Sequence, residues 1–115
     1  MSTALEFLLD HLADEAMRVA QSTIKIRKFG FENRAHARDL PTLERLQRDL
    51  SEFLAAIECL NVELARDGRE QLSLEDDDAI DRGLDSIYKH AEYSAREGIL
   101  KEILTDIRIL STKES

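Results

Sequence analysis

The sequence has little of what stabilises disulfide-rich or membrane proteins. Its 115 residues include one cysteine, one proline, four glycines and no tryptophan. A lone cysteine excludes an intramolecular disulfide, and the apolar neighbours of Cys59 predict a buried structural thiol rather than a nucleophile. No apolar run approaches the roughly 20 residues of a membrane-spanning helix, and the first residues lack the basic start of a secretory signal. We therefore expect a cytoplasmic protein that has no contact with membranes.

The residues that are abundant favour helices. The chain is 43% hydrophobic and 35% charged, and it is rich in Leu, Ala, Glu and Arg, which are good helix formers. The length predicts a single helical domain over residues 1–115. A domain of this size buries a modest core, so its apolar stripes often complete their burial against a second copy. We expect a homodimer or a homotetramer.

The charge is unevenly distributed along the chain. The net charge is −8, but residues 18–38 hold six basic residues and one acid, a local net charge of +5 that leaves −13 for the rest. An acidic protein of this kind is unsuited to binding duplex nucleic acid, whereas its basic patch fits a small anionic ligand. The alternative is a solvated helix end, because the helix dipole favours basic residues there.

The apolar periodicity predicts four helices at about residues 3–28, 41–65, 74–96 and 99–110. Thr3 and Glu6 have capping-box spacing, Gly30 suits a helix end, Pro41 suits a first helical turn and Ser73 suits a cap. The apolar stripe of the first helix comprises Leu5, Leu8, Leu9, Leu12, Ala16, Val19, Ala20 and Ile24. The fold class is all-α, an antiparallel helical bundle completed by oligomerisation.

Acidic residues on the first two helices are candidates for a metal site. Asp49 and Glu52 are three residues apart and share a helix face, and Glu15 can face them if the two helices pack antiparallel. Three converging carboxylates repel one another unless a cation joins them. Mg²⁺ prefers such oxygen ligands, but Arg18, three residues after Glu15, is an alternative cation. The default interpretation is that these are ordinary exposed helix charges.

Two further groups of residues are candidate metal ligands. His11 lies four residues before Glu15 on the same helix face, and imidazole binds divalent metals, although a lone helical histidine is usually structural. Consecutive acids at Asp76, Asp77 and Asp78 point to different sides of a helix. Favourable interaction with the positive helix N-terminus explains these three acids better than metal binding does.

Four segments together resemble a known family. They are Asp14-Glu15-Ala16-Met17-Arg18, Thr23-Ile24-Lys25-Ile26-Arg27-Lys28-Phe29-Gly30, Asp49-Leu50-Ser51-Glu52 and residues 89–98. Residues 5–60 resemble the MazG-like all-α nucleoside triphosphate pyrophosphohydrolases, which include helical dUTPases and dCTPases. That family has Glu-Glu-x-x-Glu on one helix, a basic turn ending in Phe-Gly, and Glu-x-x-Asp on the next helix. Residues 89–98 are similar to a lysine-and-tyrosine segment of some phage-type members.

The resemblance implies hydrolysis of an NTP or dNTP to a monophosphate and pyrophosphate, with Mg²⁺ or alternatively Mn²⁺ as cofactor. The implied metal ligands are Glu15, Asp49 and Glu52, of which Glu15 and Glu52 are also the catalytic residues, and Asp14 is a supporting acid. The implied substrate contacts are Lys25, Arg27, Lys28 and Lys89 for phosphate and Tyr93 for the base, although Tyr93 could equally pack in the core.

Arg18 departs from the family pattern. It stands where the family has a fourth acidic ligand, and a guanidinium cannot coordinate a metal. The departure leaves two alternatives to an active enzyme: a catalytically inactive nucleotide-binding relative, or a helical assembly protein without a ligand.

Overall fold

A computed structural model describes residues 1–96 of the chain. Three helices run through this part: α1 (Thr3–Phe29), α2 (Thr42–Arg66) and α3 (Asp77–Arg96). No strand occurs among these residues, which confirms the all-α class, and none of their helices is long and apolar enough to cross a membrane. The fourth predicted helix, at 99–110, lies outside the described residues. The chain divides into two compact units, residues 1–72 and residues from Ser73 onward, which are described separately.

The ends of α1 are set by Ser2 and Gly30. The Ser2 side chain accepts a hydrogen bond from the Leu5 backbone N–H at 3.1 Å, so the cap is Ser2 and the predicted Thr3–Glu6 capping box is wrong by one residue. At the other end the Gly30 N–H donates to the Ile26 carbonyl at 2.8 Å. Gly30 has φ 89°, a conformation that costs residues with a Cβ, and it ends the helix as predicted.

The loop of residues 30–41 brings α2 back beside the end of α1. The Thr42 hydroxyl donates to the Gly30 carbonyl, and the Leu43 N–H donates to the Phe31 carbonyl at 3.0 Å. Pro41 is extended, with φ −57° and ψ 154°, so it precedes the first turn instead of occupying it as predicted. These bonds place the start of α2 next to the end of α1, and the two helices pack antiparallel as an α-hairpin.

The buried seam of α1 differs from the predicted apolar stripe. Its buried or half-buried positions repeat every three or four residues and are Leu5, Leu8, Leu12, Glu15, Val19, Ser22 and Ile26. They share the interior with the buried α2 residues Thr42, Asp49, Ala56, Ile57 and Leu60. Four members of the predicted stripe are exposed, namely Leu9, Ala16, Ala20 and Ile24. The reason is that the regular spacing of the buried positions passes through Glu15 and Ser22.

The composition of the seam changes along the hairpin. Near the start of α1 and the end of α2 the buried residues are aliphatic, whereas towards the connecting loop they include Glu15, Ser22, Thr42 and Asp49. Polar groups are costly to bury unless they are hydrogen-bonded or paired. We therefore expect a functional site in the half of the hairpin that is closer to the connecting loop.

The second unit begins with a capped helix. The Asp76 side chain accepts from the Ala79 N–H at 3.0 Å, which makes Asp76 the cap of α3. Ser73, the predicted cap, instead accepts from the Glu75 N–H at 3.1 Å in the preceding turn. Asp77 and Asp78 occupy the first helical turn, as expected if the helix dipole explains these acids.

Candidate functional site

Glu15 is the buried centre of the candidate site. Its side chain is 3% exposed, and its Oε1 lies 3.4 Å from Arg18 Nη1 and 3.6 Å from His11 Nε2. Its other oxygen, Oε2, is buried and has no hydrogen-bond partner. A buried carboxylate oxygen without a donor is unfavourable by about 1–3 kcal/mol or more. A ligand that supplies a cation or an N–H to this atom would therefore remove this free-energy cost.

Arg18 connects the acids of the two helices. Its Nη1 lies 3.4 Å from Glu15 Oε1 and 4.0 Å from Glu52 Oε2. The Arg18 and Glu52 side chains are 59% and 46% exposed, so water screens the longer contact and it contributes at most about 1 kcal/mol. Arg18 thus supplies a positive charge between two carboxylates. Because its side chain is mostly exposed, it can move away from them.

Asp49 is held by the opposite helix. The Ser22 hydroxyl on α1 donates to Asp49 Oδ2 on α2, and both residues are almost fully buried. The hydroxyl satisfies one oxygen of a carboxylate that would otherwise be costly to remove from water. This bond fixes the register of the two helices at the level of the site.

A basic cavity of about 290 Å³ opens beside these acids. Its lining combines four basic side chains with two acids and two neutral polar residues, and comprises Arg18, Gln21, Ser22, Lys25, Arg45, Arg48, Asp49 and Glu52. The Nε of Arg45 is buried and has no hydrogen-bond acceptor. An excess of positive charge and an unused buried donor are suited to an anion rather than to an apolar ligand.

A second cavity, of about 480 Å³, adjoins the first and shares Arg18 and Glu52 with it. Most of its wall is apolar or aromatic, with polar groups where it meets the acids; the other lining residues are Phe7, Leu8, His11, Glu15, Ala55, Ala56 and Cys59. The Phe7 and His11 rings lie parallel, with centroids 6.1 Å apart and 4° between their planes. Cys59 is exposed, so the prediction of a buried thiol is wrong.

The structure brings together only part of the predicted set of site residues. Glu15, Arg18, Lys25, Asp49 and Glu52 line the two cavities. The remaining first-unit members, Asp14, Arg27 and Lys28, are exposed and line neither cavity. Lys89 and Tyr93 are exposed residues of α3, in the second unit, and their predicted contacts with substrate stay predictions.

Sequence reasoning missed Arg45, Arg48 and Ser22. The missed signal is a spacing: Arg45, Arg48 and Glu52 recur every three or four residues and therefore share one face of α2. Arg18, Ser22 and Lys25 repeat in the same way on α1. Two such polar faces on consecutive helices meet across an antiparallel hairpin.

The chemical types of these residues suit a divalent metal, but their positions do not form a metal site. Three carboxylates from adjacent helices are the oxygen donors that Mg²⁺ prefers, and Glu15 Oε2 has no partner. However, Arg18 occupies the space between Glu15 and Glu52. Within residues 1–96, no three His, Cys, Asp or Glu side chains are grouped so that they could hold a metal ion. Metal binding therefore requires that Arg18 move and that the three carboxylates come closer together.

Comparison with known proteins adds no identification: no protein-family model, curated protein or solved structure matches this chain.

Proposed function

We propose that the α1–α2 hairpin is a nucleoside triphosphate site of the MazG-like type, and that the protein hydrolyses an NTP or dNTP to a monophosphate and pyrophosphate. The observation that carries the proposal is the basic cavity that Asp49 and Glu52 line, together with Arg18, which contacts Glu15 from the same cavity. A triphosphate bound to a metal presents anionic oxygens and a cation side by side, and this site presents the complementary charges. The resemblance of both acidic segments and of the basic turn to that family supports the same function.

The basic side chains would bind and orient the phosphates. Arg45 has a buried Nε without an acceptor, and a phosphate oxygen would supply one. Arginine binds phosphate through several donors in a planar fork, and Arg48 and Lys25 add further charge from the two facing helices. Holding the chain of phosphates in one orientation is a large part of catalysis in phosphoryl transfer.

The acids would hold the metal once Arg18 has moved and the three carboxylates have come closer together. Glu15, Asp49 and Glu52 would be the ligands of Mg²⁺, which when bound neutralises phosphate charge and polarises the attacked phosphorus. Arg18 would give way to a cation that arrives with the triphosphate, because the guanidinium is 59% exposed and lies 4.0 Å from Glu52. Arg18 also lines the basic cavity, so a phosphate oxygen is a natural alternative partner for it.

Exposed apolar residues on the hairpin support self-association as part of this proposal. Leu9 and Ile24 on α1 are 40% and 52% exposed, and Leu50 and Leu54 on α2 are 40% and 46% exposed. Large exposed apolar areas are typical of interfaces. We expect a homodimer or a homotetramer, with the free monomer sparsely populated.

Replacing Glu52 with alanine tests the enzymatic function. Under this proposal Glu52→Ala abolishes metal-dependent release of pyrophosphate, because it removes one of three carboxylate ligands. Glu58→Ala is a matched control, since Glu58 is an exposed acid of the same helix that lines neither cavity. Equal activity in the wild type and in Glu52→Ala would refute the assignment of the metal ligands.

A second candidate function is nucleotide binding without catalytic activity, and the position of Arg18 favours it. If the guanidinium stays between Glu15 and Glu52, it replaces the charge of the metal and the cavity binds phosphates without hydrolysing them. Arg18→Glu separates the two functions, because it restores the acid of the family pattern. Activity that appears only in this variant would establish Arg18 as the residue that silences the site, whereas activity already present in the wild type would exclude this candidate.

A further inference from the structure

The loop end of the α1–α2 hairpin carries a positive surface outside the two cavities. Residues 25–38 hold five basic residues and one acid, a net charge of +4 that leaves −12 for the rest of the chain. Six exposed side chains of this segment line neither cavity and together form what we term the basic tip: Arg27, Lys28, Phe29, Phe31, Arg34 and Arg38.

The cations of the basic tip are not neutralised by neighbouring acids. Within residues 1–96, none of its four basic side chains forms an ion pair, although the Arg34 guanidinium donates to the Ala37 carbonyl at 3.2 Å. The two acids of the loop, Glu32 and Asp39, do not pair with them, and Asp39 instead accepts from the His36 backbone N–H at 2.9 Å. Four cations without counter-charges attract an anionic partner.

Two phenylalanines lie among these cations. Phe29 and Phe31 are 62% and 58% exposed, and in the part of the chain that the structure describes neither ring contacts another aromatic ring. The two residues flank Gly30, so their Cα atoms lie within about 7 Å of each other. Exposed phenyl rings are unfavourable in water, and every unpaired nucleobase offers a flat face on which such a ring stacks.

Hydrogen bonds to α2 hold the backbone of the loop in place. The Leu43 N–H donates to the Phe31 carbonyl at 3.0 Å, and the Thr42 N–H donates to the Asn33 carbonyl at 3.1 Å. The Thr42 hydroxyl also donates to the Gly30 carbonyl. A partner that binds this loop therefore loses less free energy to ordering than it would on an untethered segment.

A single-stranded nucleic acid has the chemistry that fits the basic tip. Proteins bind single strands by combining cations for the phosphates with aromatic rings for the bases. A duplex keeps the faces of its bases stacked inside, where these rings do not reach them. A lipid membrane fits less well, because loop 30–41 is not helical and lacks the continuous apolar face of a helix that lies in a membrane surface.

We propose that the basic tip binds single-stranded nucleic acid, with Phe29 and Phe31 stacking on bases and the four cations contacting phosphates. This inference goes beyond the proposed function and does not depend on it, because the basic tip lies outside both cavities. It assigns a partner to the exposed rings, which the hydrolysis of a nucleotide in the basic cavity does not use.

Equilibrium titrations with strands of about 12 nucleotides test the proposal. They are made in EDTA and without nucleoside triphosphate, so that hydrolysis plays no part. Oligothymidylate and oligouridylate carry bases on deoxyribose and on ribose, whereas an abasic strand of the same length has the phosphates alone. We expect the wild type to bind at least one of the two base-bearing strands tenfold or more tightly than the abasic strand, because only those strands can stack on the rings.

Replacing Phe31 with alanine tests the stacking. Phe31→Ala should weaken binding of the preferred strand at least fivefold and leave binding of the abasic strand unchanged. The fold should be retained, since it is the Phe31 carbonyl that bonds to α2, and thermal unfolding checks this. Phe7→Ala is the matched control, because Phe7 is 66% exposed and lies about 33 Å from Phe29 along α1. This control should bind every strand as the wild type does.

The salt dependence of binding tests the phosphate contacts. For a single strand, the slope of log affinity against log salt concentration is about −0.7 for each phosphate neutralised, so four cations predict about −2.8. Combining Arg34→Ala with Arg38→Ala should reduce the slope to about −1.4. Arg66→Ala combined with Arg69→Ala makes the same change in net charge at the other end of the hairpin and should leave the slope unchanged.

Three outcomes would overturn the proposal. One is equal affinity of the wild type for strands with and without bases, or equal weakening by Phe31→Ala and Phe7→Ala. Another is displacement of the strand by inorganic triphosphate at matched ionic strength, which would place the strand in the basic cavity. The third is binding to vesicles of anionic phospholipid that Phe31→Ala abolishes, with no binding to any strand. None of these outcomes concerns the release of pyrophosphate, so the proposed function stands or fails separately.

Discussion

Replacing Arg18 with glutamate should destabilise the protein and make its stability depend on Mg²⁺. The guanidinium faces Glu15, which is 3% exposed, at 3.4 Å and Glu52 at 4.0 Å. A buried charge that loses its partner costs about 3–5 kcal/mol, but Arg18 is 59% exposed and water screens its contribution. We therefore expect a loss of about 2 kcal/mol in the free energy of unfolding, which lowers Tm by roughly 10 °C for a domain of this size.

Mg²⁺ should restore the stability of this variant. Glu15, Glu52 and the introduced carboxylate then lie close together, and a cation that binds only the folded state stabilises it by about 2.7 kcal/mol at 100 times its Kd. The assay is thermal unfolding followed by circular dichroism, in EDTA and in Mg²⁺. The wild type should show a much smaller response to Mg²⁺ when no nucleotide is present, because Arg18 already neutralises part of the acidic charge.

Arg69→Glu is the control for a general effect of charge. It makes the same change in net charge, and Arg69 pairs with Asp67 at 2.7 Å in the turn after α2, far along the chain from the site. Its Tm should change little and should not respond to Mg²⁺. An Arg18→Glu variant that is as stable as the wild type in EDTA and insensitive to Mg²⁺ would refute the view that Arg18 occupies a latent metal position.

Three further predictions concern the framework of the hairpin and are measured by thermal or denaturant unfolding. Ser22→Ala should destabilise the protein by about 1–3 kcal/mol, because buried Asp49 loses its donor; an unchanged Tm would contradict the role of this bond. Ser2→Ala should cost about 1 kcal/mol through loss of the α1 cap, whereas Thr3→Ala should cost clearly less if Ser2 is the true cap. Gly30→Ala should cost about 1–2 kcal/mol because φ is 89° there, and with no atom within 4 Å of the added Cβ a larger loss would require another cause.

The helices of the first unit could be predicted almost to the residue because local signals mark their ends. Gly30 must adopt a positive φ, and Pro41 cannot continue a hydrogen-bonded helix from its N-terminal side. The predicted start of α3 at residue 74 is wrong, because the helix begins at Asp77. Ser73 and Asp76 are both good cap residues, and only the observed bond to Ala79 distinguishes them. Periodicity alone does not decide between neighbouring cap residues.

The orientation of α1 could not be read from its hydrophobicity. The helix carries apolar residues on two neighbouring faces, so Ile24 fits a stripe as well as Ile26 does. Burial of Glu15 and Ser22 depends on their partners, Arg18 and Asp49, and therefore on the packing of the two helices. The same limit explains why Cys59 was expected to be buried: it lies one position away from the buried Leu60.

The candidate site was predictable in its acids but only in part in its cations, since Arg18 and Lys25 were predicted and Arg45 and Arg48 were not. The resemblance drew attention to Glu15, Asp49 and Glu52, and the structure places all three beside the cavities. It could not indicate Arg45 and Arg48, which are unremarkable in a chain with 35% charged residues. Their importance arises only where α2 faces Arg18 and Lys25 across the hairpin.

The most direct test of the account is the identity of the products formed from nucleoside triphosphates. NTPs and dNTPs are incubated with excess protein in Mg²⁺, in Mn²⁺ and in EDTA, and the nucleotides and phosphates are separated by chromatography. The account predicts equal amounts of monophosphate and pyrophosphate for at least one base, formed only with metal. Diphosphate with inorganic phosphate would contradict it, and so would the absence of turnover with every nucleotide.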